Sequence, residues 1–210
     1  MERIKEALEL AKLAGSKKRE KPVSRKAKET FEPDITQEIV YSQTQVVPVK
    51  KGIMKRNRII AGLDHPEADT AYRLLRTQIL QKLVANKWNT LAVTSTGPEE
   101  GKSLTSIKLA VSLAREVNFT VLLVDLDMRR PSINKYFGFR PKVGISDYFL
   151  NEEFDLGGML INPDIERLVI LPGRESIMNA SEILKSNRMA QLVNELKSRY
   201  PTRIVVFDLP

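Results

Sequence analysis

The chain has 210 residues, of which 42% are hydrophobic, and it carries a formal net charge of +8. It contains no cysteine and one histidine, which excludes disulfide bonds, thiolate chemistry and a histidine-rich metal site. No run approaches the roughly 20 apolar residues that a membrane-spanning helix needs, and the N-terminus does not read as a signal peptide. We therefore expect a cytoplasmic protein in which any metal ion is bound by oxygen ligands.

The first 60 residues carry most of the net charge, with 15 Lys and Arg residues against 8 Asp and Glu residues. Residues 1–14 place apolar side chains at helical spacing and predict a short amphipathic helix. Residues 15–60 are basic and contain three prolines, which predicts a flexible, disordered linker. Such a segment can contact an anionic membrane or nucleic acid, but a solvated linker is the simpler interpretation because no aromatic residue lies within the basic run 16–28.

Regular structure is predicted from residue 61 to the C-terminus. Asp64 and Glu67 have the spacing of a capping box, and apolar residues then mark a long helix to about Ala85. Short apolar strands and helices follow in alternation, with strands predicted at 91–94, 120–125, 168–171 and 204–207, and helices at 103–117 and 181–198. This alternation predicts a three-layer α/β fold in which helices cover both faces of a parallel sheet.

The strongest motif lies between the first of these strands and the next helix, and it reads Thr96-Gly97-Pro98-Glu99-Glu100-Gly101-Lys102-Ser103. This spacing and position are typical of a phosphate loop, whose backbone N–H groups, continuing to Leu104, bind phosphates at the helix N-terminus. Lys102 would reach the β- and γ-phosphates of ATP, and the Ser103 hydroxyl would bind Mg²⁺. The alternative is a solvent-facing Gly-Lys-Ser at a helix start, which the strand, loop and helix order disfavours.

The loop carries two carboxylates where many phosphate loops have small residues. Thr96 replaces the first glycine, and Glu99 stands beside Glu100. If position 99 adopts a positive φ, a glutamate there costs about 1 kcal/mol. A carboxylate that faces phosphate would be repelled, so we predict that both glutamate side chains point to solvent.

Aspartates follow two apolar strands. Asp125 and Asp127 come after Val121–Val124, and Asp208 comes after Ile204–Phe207. Ligands in open α/β sheets collect at the carboxyl ends of strands, so these side chains are predicted beside the loop. We assign Asp125 to orienting or deprotonating the attacking group, Asp127 to the metal or its waters, and Asp208 to holding Mg²⁺ through a water. The alternative is a polar strand end that caps the following turn.

Together these three motifs resemble the bacterial tyrosine kinases, which use a modified phosphate-loop ATPase fold of the partition-protein type. The resemblance rests on Pro98 before Glu-Glu-Gly-Lys-Ser, the Asp-Leu-Asp-Met-Arg run at 125–129 and the Asp-Leu-Pro ending at 208–210. Residues 71–77 also resemble the helix through which such kinases assemble into rings, which assigns Arg73 and Arg76 to oligomerisation. Thr70 stands where that motif has glutamate.

The N-terminal residues 1–8, together with 47–49 and 56–63, are similar to the subgroup encoded beside exopolysaccharide and exosortase systems. The resemblance implies an autokinase that transfers phosphate from ATP, with Mg²⁺, to tyrosines in its own C-terminal tail. It also implies a homo-oligomer that binds the cytoplasmic segment of a membrane-embedded polysaccharide chain-length regulator, at the inner face of the plasma membrane. Lys102, Asp125 and Asp127 would be its catalytic residues.

The chain ends at Pro210, directly after the third motif. We therefore expect the kinase domain, residues 61–210, to lack its C-terminal strands and to leave Ile204–Phe207 as an exposed apolar edge. Two alternatives to a kinase remain: a switch ATPase whose nucleotide state controls self-association or partner binding, and a truncated adaptor that binds through residues 1–14. Nucleic-acid binding is the weakest hypothesis, because residues 61–210 carry 19 basic against 18 acidic residues.

Overall fold

The computed structural model describes residues 44–59, 66–151, 156–200 and 202–210. Within these ranges, six strands form one sheet in the order β1-β4-β5-β3-β6-β2. Their bounds are Gln45–Val46 (β1), Thr90–Val93 (β2), Thr120–Asp125 (β3), Ile161–Asn162 (β4), Leu168–Leu171 (β5) and Arg203–Asp208 (β6). Strands β5, β3, β6 and β2 are parallel, as predicted, whereas the short β4 pairs antiparallel with β5 and parallel with β1.

Helices cover both faces of this sheet. Their bounds are Lys51–Arg56 (α1), Pro66–Asn86 (α2), Lys102–Leu113 (α3), Ile133–Phe137 (α4), Ile145–Leu150 (α5), Ala180–Leu184 (α6) and Asn187–Ser198 (α7), with a 3₁₀ turn at Gly157–Met159. Side chains of β3 alternate between two buried apolar clusters: Val121 and Leu123 pack with α3, and Leu122 and Val124 pack with α7. The predicted three-layer α/β fold is therefore confirmed. No helix in the described ranges is long and apolar enough to span a bilayer.

The predicted helix at 181–198 is interrupted. Helix α6 ends at Leu184, and α7 begins after Ser186, whose hydroxyl accepts a hydrogen bond from the Met189 amide at 3.1 Å. A serine in this position supplies an N-cap for a new helix, which a continuous apolar period does not reveal. The prediction of one helix was wrong at this point, whereas β3 and β5 have the bounds that were predicted.

The C-terminal part of the predicted linker is folded. Strand β1 pairs with β4, and α1 packs against α4, which places Ile59 in the core with 1% of its surface exposed. Asn57 Nδ2 also donates a hydrogen bond to the Tyr136 carbonyl oxygen at 2.6 Å. The linker prediction was therefore wrong for residues 44–59, because widely spaced apolar residues find core partners despite the basic composition. The predicted helix at 1–14, the linker up to residue 43 and the Asp64 cap lie outside the described residues.

Strand β6 lies in the interior of the sheet, between β3 and β2. Ile204 and Val206 are buried on one face of the sheet, and Val205 is buried on the other. The expectation of an exposed apolar edge at Ile204–Phe207 was therefore wrong. The physical reason is that β2, which comes earlier in the chain, pairs with the outer side of β6.

Candidate nucleotide-binding site

The loop between β2 and α3 brings residues 96–103 to the carboxyl end of the sheet. Gly101 adopts the left-handed conformation with φ 86° directly before α3 begins at Lys102. Glu99 has φ 63°, so the backbone strain predicted for a glutamate at this position is present. The structure has the order of strand, loop and helix that a phosphate loop requires. The first amides of α3, including that of Leu104, lie at the helix N-terminus.

Glu100 folds back onto the loop. Its carboxylate accepts hydrogen bonds from the Gly97 amide at 3.1 Å and from the Thr96 hydroxyl at 3.0 Å. These bonds, the Gly97 amide first, lower the pKa of the Glu100 carboxyl below its usual range. Glu100 is nevertheless exposed to solvent and does not line the cleft beside the loop, as predicted, while its carboxylate also satisfies polar groups of the loop.

A cleft of about 630 Å³ opens beside the loop. This volume lies within the usual range for a small-molecule site. Its walls are formed by Ser95, Thr96, Gly97, Pro98, Glu99, Gly101, Lys102 and Ser103 from the loop side, and by Asp127, Arg129, Arg130, Ser132, Tyr136 and Pro210. Residues of the first two predicted motifs therefore line the cleft, and Pro210, the last residue of the third motif, lies at its margin.

Lys102 and Asp127 form an ion pair in this cleft. Lys102 Nζ lies 2.7 Å from Asp127 Oδ2, and both side chains are largely buried. Burial alone lowers the pKa of the Lys102 amine, but the hydrogen bond and charge of Asp127, with smaller contributions from Asp208 and Asp125, raise it overall. Lys102 is therefore held as a cation at the site where a phosphate group would bind.

Asp125 lies below the cleft wall and is fully buried. Its Oδ2 accepts hydrogen bonds from the amides of Ser132 at 2.9 Å and Ile133 at 3.0 Å. Its Oδ1 has no hydrogen-bond partner among the described residues. Burial, reinforced by the charges of Asp208 and Asp127, raises the pKa of Asp125 to about 7, against the two amide hydrogen bonds. A carboxyl group with this pKa can exchange a proton at neutral pH.

Asp208 is the neighbour of Asp125 in the register of β6 and β3. Its Oδ1 lies 2.9 Å from the Ser106 hydroxyl, which is also 3.0 Å from the Lys102 carbonyl oxygen. Its Oδ2 is buried without a hydrogen-bond partner in the described part of the chain. Burial raises the pKa of Asp208, while the nearby Ser103 and Ser106 hydroxyls oppose the shift.

The oxygen donors around the cleft fit a Mg²⁺ ion that is shared with phosphate groups. Within the described ranges, no group of three or more acidic or histidine side chains forms a metal site by itself. Ser103, Asp127 and Asp208 supply hydroxyl and carboxylate oxygens, and the unpaired Asp208 Oδ2 is the donor most suited to a metal-bound water. Mg²⁺ commonly keeps several waters and binds through one or two carboxylates plus substrate phosphates.

The structure brings Lys102, Asp127 and Ser103 to the cleft and leaves Asp125 and Asp208 beneath it. Sequence reasoning missed several residues of the site: Ser106, Arg129, Arg130, Ser132 and Tyr136. Ser106 could have been predicted, since it comes one helical turn after Lys102, on the face of α3 that contacts β6. The arginines directly follow the second motif, but an arginine pair in a loop is common and did not single them out.

The two arginines assigned to oligomerisation have different surroundings. Arg73 pairs with Asp69 one turn earlier on α2 and remains largely exposed. Arg76 is mostly buried, donates to the Ser112 carbonyl oxygen at 3.0 Å and lies 3.0 Å from Glu116. Arg76 therefore links α2 to α3, the helix that begins at the phosphate loop, and the oligomerisation role of both arginines stays a prediction.

No known family model matches the chain. It is 28% identical over 178 residues to the tyrosine-protein kinase ptk of Acinetobacter johnsonii, covering 81% of this chain and 24% of the relative. It is 30% identical over 159 residues to the tyrosine-protein kinase YwqD of Bacillus subtilis, covering 75% of this chain and 65% of the relative. The chain thus spans between about a quarter and two thirds of the length of these relatives.

A solved structure supports the same relationship. The BceF tyrosine kinase domain superposes with a TM-score of 0.61 at 27% identity, covering 80% of this chain and 70% of that one. The resemblance to bacterial tyrosine kinases that the three motifs predicted is confirmed, as is the phosphate-loop ATPase fold.

Proposed function

We propose that this chain, a homologue of bacterial tyrosine-protein kinases, is an ATP-dependent protein-tyrosine autokinase that acts in exopolysaccharide biosynthesis and export. The observation that carries the proposal is the ion pair of Lys102 and Asp127 inside a cleft bordered by the phosphate loop. A lysine held as a cation at a helix N-terminus, with carboxylates beside it, is the arrangement that phosphoryl transfer from a magnesium nucleotide requires. The link to exopolysaccharide rests on the resemblance of the N-terminal residues.

In this proposal, the loop amides from Gly97 to Leu104 bind the phosphates of ATP. Lys102 exchanges its contact with Asp127 for one with the β- and γ-phosphates, because a phosphate carries more negative charge than one carboxylate. Ser103, Asp127 and Asp208 would hold Mg²⁺, which neutralises charge on the phosphates when it is bound. Asp208 is positioned for this role by the Ser106 hydroxyl.

The transfer step forms a bond between the tyrosine oxygen and the γ-phosphorus and breaks the bond from that phosphorus to the β–γ bridging oxygen, so that ADP leaves. The tyrosine loses its proton in this step, and we assign a carboxylate as the acceptor. Asp125 is our proposed final acceptor, because its unpaired Oδ1 and its pKa of about 7 suit a base at neutral pH. Since Asp125 is buried beneath the cleft, the proton would reach it through a water or a group of the cleft wall. Asp127, which lines the cleft, is the alternative base.

We further propose that the protein forms a homo-oligomer through α2, with Arg73 and Arg76 at the contact. Its partner would be the cytoplasmic segment of a membrane-embedded polysaccharide chain-length regulator, which would hold it at the inner face of the plasma membrane. These proposals concern the whole protein and rest on the resemblance of the 71–77 run and of the N-terminal residues.

Incubation of the full-length protein with labelled ATP and Mg²⁺ tests the kinase proposal. Phosphotyrosine should form, Lys102→Met should abolish it, and Lys197→Met, on the exposed face of α7, should leave it unchanged. Phosphotyrosine that persists at the wild-type level in Lys102→Met would contradict the proposal. Replacing Asp125 and Asp127 by asparagine in turn identifies the proton acceptor, since its loss should lower the rate constant of transfer more than the affinity for ATP.

A second candidate is a switch ATPase without kinase activity, whose nucleotide state controls self-association. It is favoured by the contacts of Arg76 with Ser112 and Glu116, which connect the proposed oligomerisation helix to the helix of the phosphate loop. ATP-dependent oligomer size, measured by light scattering, without any phosphotyrosine would support this candidate over the kinase.

A further inference from the structure

We infer that Arg129 and Arg130 form an arginine wall that recruits the acceptor tyrosine through acidic residues beside it in the sequence of the substrate. The inference deepens the proposed kinase function and rests on it. Both arginines line the cleft of the phosphate loop, and both side chains are exposed to solvent. They come directly after the aspartate motif, so they lie next to the site of transfer.

The backbone of the arginine wall is fixed to the site. The Arg130 amide donates a hydrogen bond to Asp127 Oδ1 at 3.1 Å, while Asp127 Oδ2 pairs with Lys102. One carboxylate therefore holds both the lysine of the phosphate loop and the start of the arginine wall. A substrate segment bound to Arg130 would therefore lie close to the transferred phosphate.

The Arg129 side chain is also held in place. Its Nη2 donates to the Ser181 hydroxyl at 2.9 Å, and its carbonyl oxygen accepts from the Ser176 hydroxyl at 2.8 Å. The neighbouring Met128 carbonyl oxygen accepts from the Ile177 amide at 2.8 Å. An arginine that is ordered before binding loses less conformational entropy when it binds a carboxylate. Its guanidinium still has donors beyond the one used by Ser181.

The exposed charges of the cleft differ between its two chain segments, since Lys102 and Asp127 are largely buried and pair with each other. The phosphate-loop segment carries Glu99, exposed at the cleft, whereas the 129–130 segment carries two cations. The phosphates of ATP already have Lys102, the loop amides and the helix N-terminus as partners. An acidic acceptor segment would therefore be attracted to the arginine wall and repelled from Glu99, which would fix the side from which it enters.

The substrate class that fits is a tyrosine with Asp or Glu residues on both sides in sequence. Carboxylates form bidentate, charge-assisted hydrogen bonds with guanidinium groups, which gives such a segment both affinity and orientation. A tyrosine among neutral residues would gain no such contact, and one among lysines would be repelled. The rival assignment is that the arginines bind the nucleotide phosphates instead.

Peptide binding, measured by fluorescence anisotropy on the full-length protein with Mg²⁺ and a non-hydrolysable ATP analogue, tests the inference. One labelled peptide has a tyrosine flanked by glutamates, and the other has glutamines in their place. The wild-type protein should prefer the acidic peptide, and Arg129→Gln with Arg130→Gln should weaken its binding by roughly tenfold without affecting the neutral peptide. The exposed Arg140→Gln removes one charge as a control and should leave both affinities unchanged. Glu99→Gln should strengthen binding of the acidic peptide, and raising the salt concentration should reduce the preference.

Equal binding of the two peptides, or no binding of the acidic peptide, would overturn the inference. Loss of affinity for the ATP analogue in the double variant, with peptide binding intact, would assign the arginines to the nucleotide instead. Binding is measured without transfer, so an acidic preference without any phosphotyrosine leaves the inference standing and contradicts the kinase proposal. Phosphotyrosine formed equally well on both peptides would support the kinase proposal and contradict the inference about the arginine wall.

Discussion

Ser106 Oγ lies 2.9 Å from Asp208 Oδ1, and both residues are fully buried beneath the phosphate loop. This contact joins α3 to the end of β6 and holds one carboxylate oxygen of Asp208, while the second oxygen is buried and has no hydrogen-bond partner among the described residues. Ser106 is therefore a positioning residue for the proposed metal ligand. It acts on Asp208 and not on the nucleotide itself.

Ser106→Ala should weaken the binding of Mn²⁺, used as a probe for Mg²⁺, in the presence of ADP. Loss of one hydrogen bond to a charged group costs on the order of 1–2 kcal/mol, so we expect a decrease in affinity of roughly five- to thirtyfold. Electron paramagnetic resonance of free Mn²⁺ measures the affinity directly. Ser112→Ala, a buried serine near the other end of the same helix, is the control. Equal Mn²⁺ affinity in the two variants would show that Asp208 does not depend on Ser106.

Asp125 should make the metal-free protein less stable as the pH rises. Its pKa is 3.8 in the unfolded chain and about 7 in the folded one, so the folded state binds the proton more tightly. The stabilisation is complete below pH 3.8 and is lost as the pH rises through 7, by at most roughly 4 kcal/mol. The raised pKa of Asp208 acts in the same direction.

Urea unfolding between pH 5 and pH 8, with a chelator present, measures this effect. The asparagine of the Asp125→Asn variant cannot ionise, so the free energy of unfolding of this variant should depend less on pH than that of the wild type. The variant should therefore be most stabilised relative to the wild type at pH 8. Asp164→Asn, at an exposed position, should follow the wild-type profile. A wild-type stability that rises between pH 5 and pH 8 and parallels the asparagine variant would show that Asp125 is ionised in the folded state throughout.

Gly173 allows the chain to pass close to Asp125. A Cβ atom at this position would lie 2.5 Å from Pro131 Cβ and 3.3 Å from Asp125 Cγ. Gly173→Ala should therefore displace the turn whose Ser132 and Ile133 amides hold Asp125, and lower the free energy of unfolding by about 1–3 kcal/mol. Gly158→Ala, where a Cβ atom meets nothing within 4 Å, is the matched control. Thermal unfolding that does not separate the two variants would contradict the close packing.

The elements that could be predicted from sequence are those whose signal is local. The apolar runs of β3 and β6 and the loop before α3 are each defined by a few consecutive residues, and the rule that parallel strands end at one edge then brings Asp127 and Asp208 to the loop. Glu100 could not be predicted in the same way, because its position depends on an amide of the folded loop. The same holds for Ser106, whose partner is 102 residues away in sequence.

Ile59 shows most clearly how composition can mislead. Composition assigned it to a basic linker, yet it is almost completely buried in the cluster that includes α3, so Ile59→Ala should cost about 2–5 kcal/mol of unfolding free energy. Val46→Ala removes apolar atoms from the same segment at a side chain that is 53% exposed, and should change stability by no more than about 0.5 kcal/mol. Urea unfolding of the two variants measures the difference. If both changes were equally mild, residues 44–59 would contribute little to the fold, and the linker would extend to residue 60 as composition predicts.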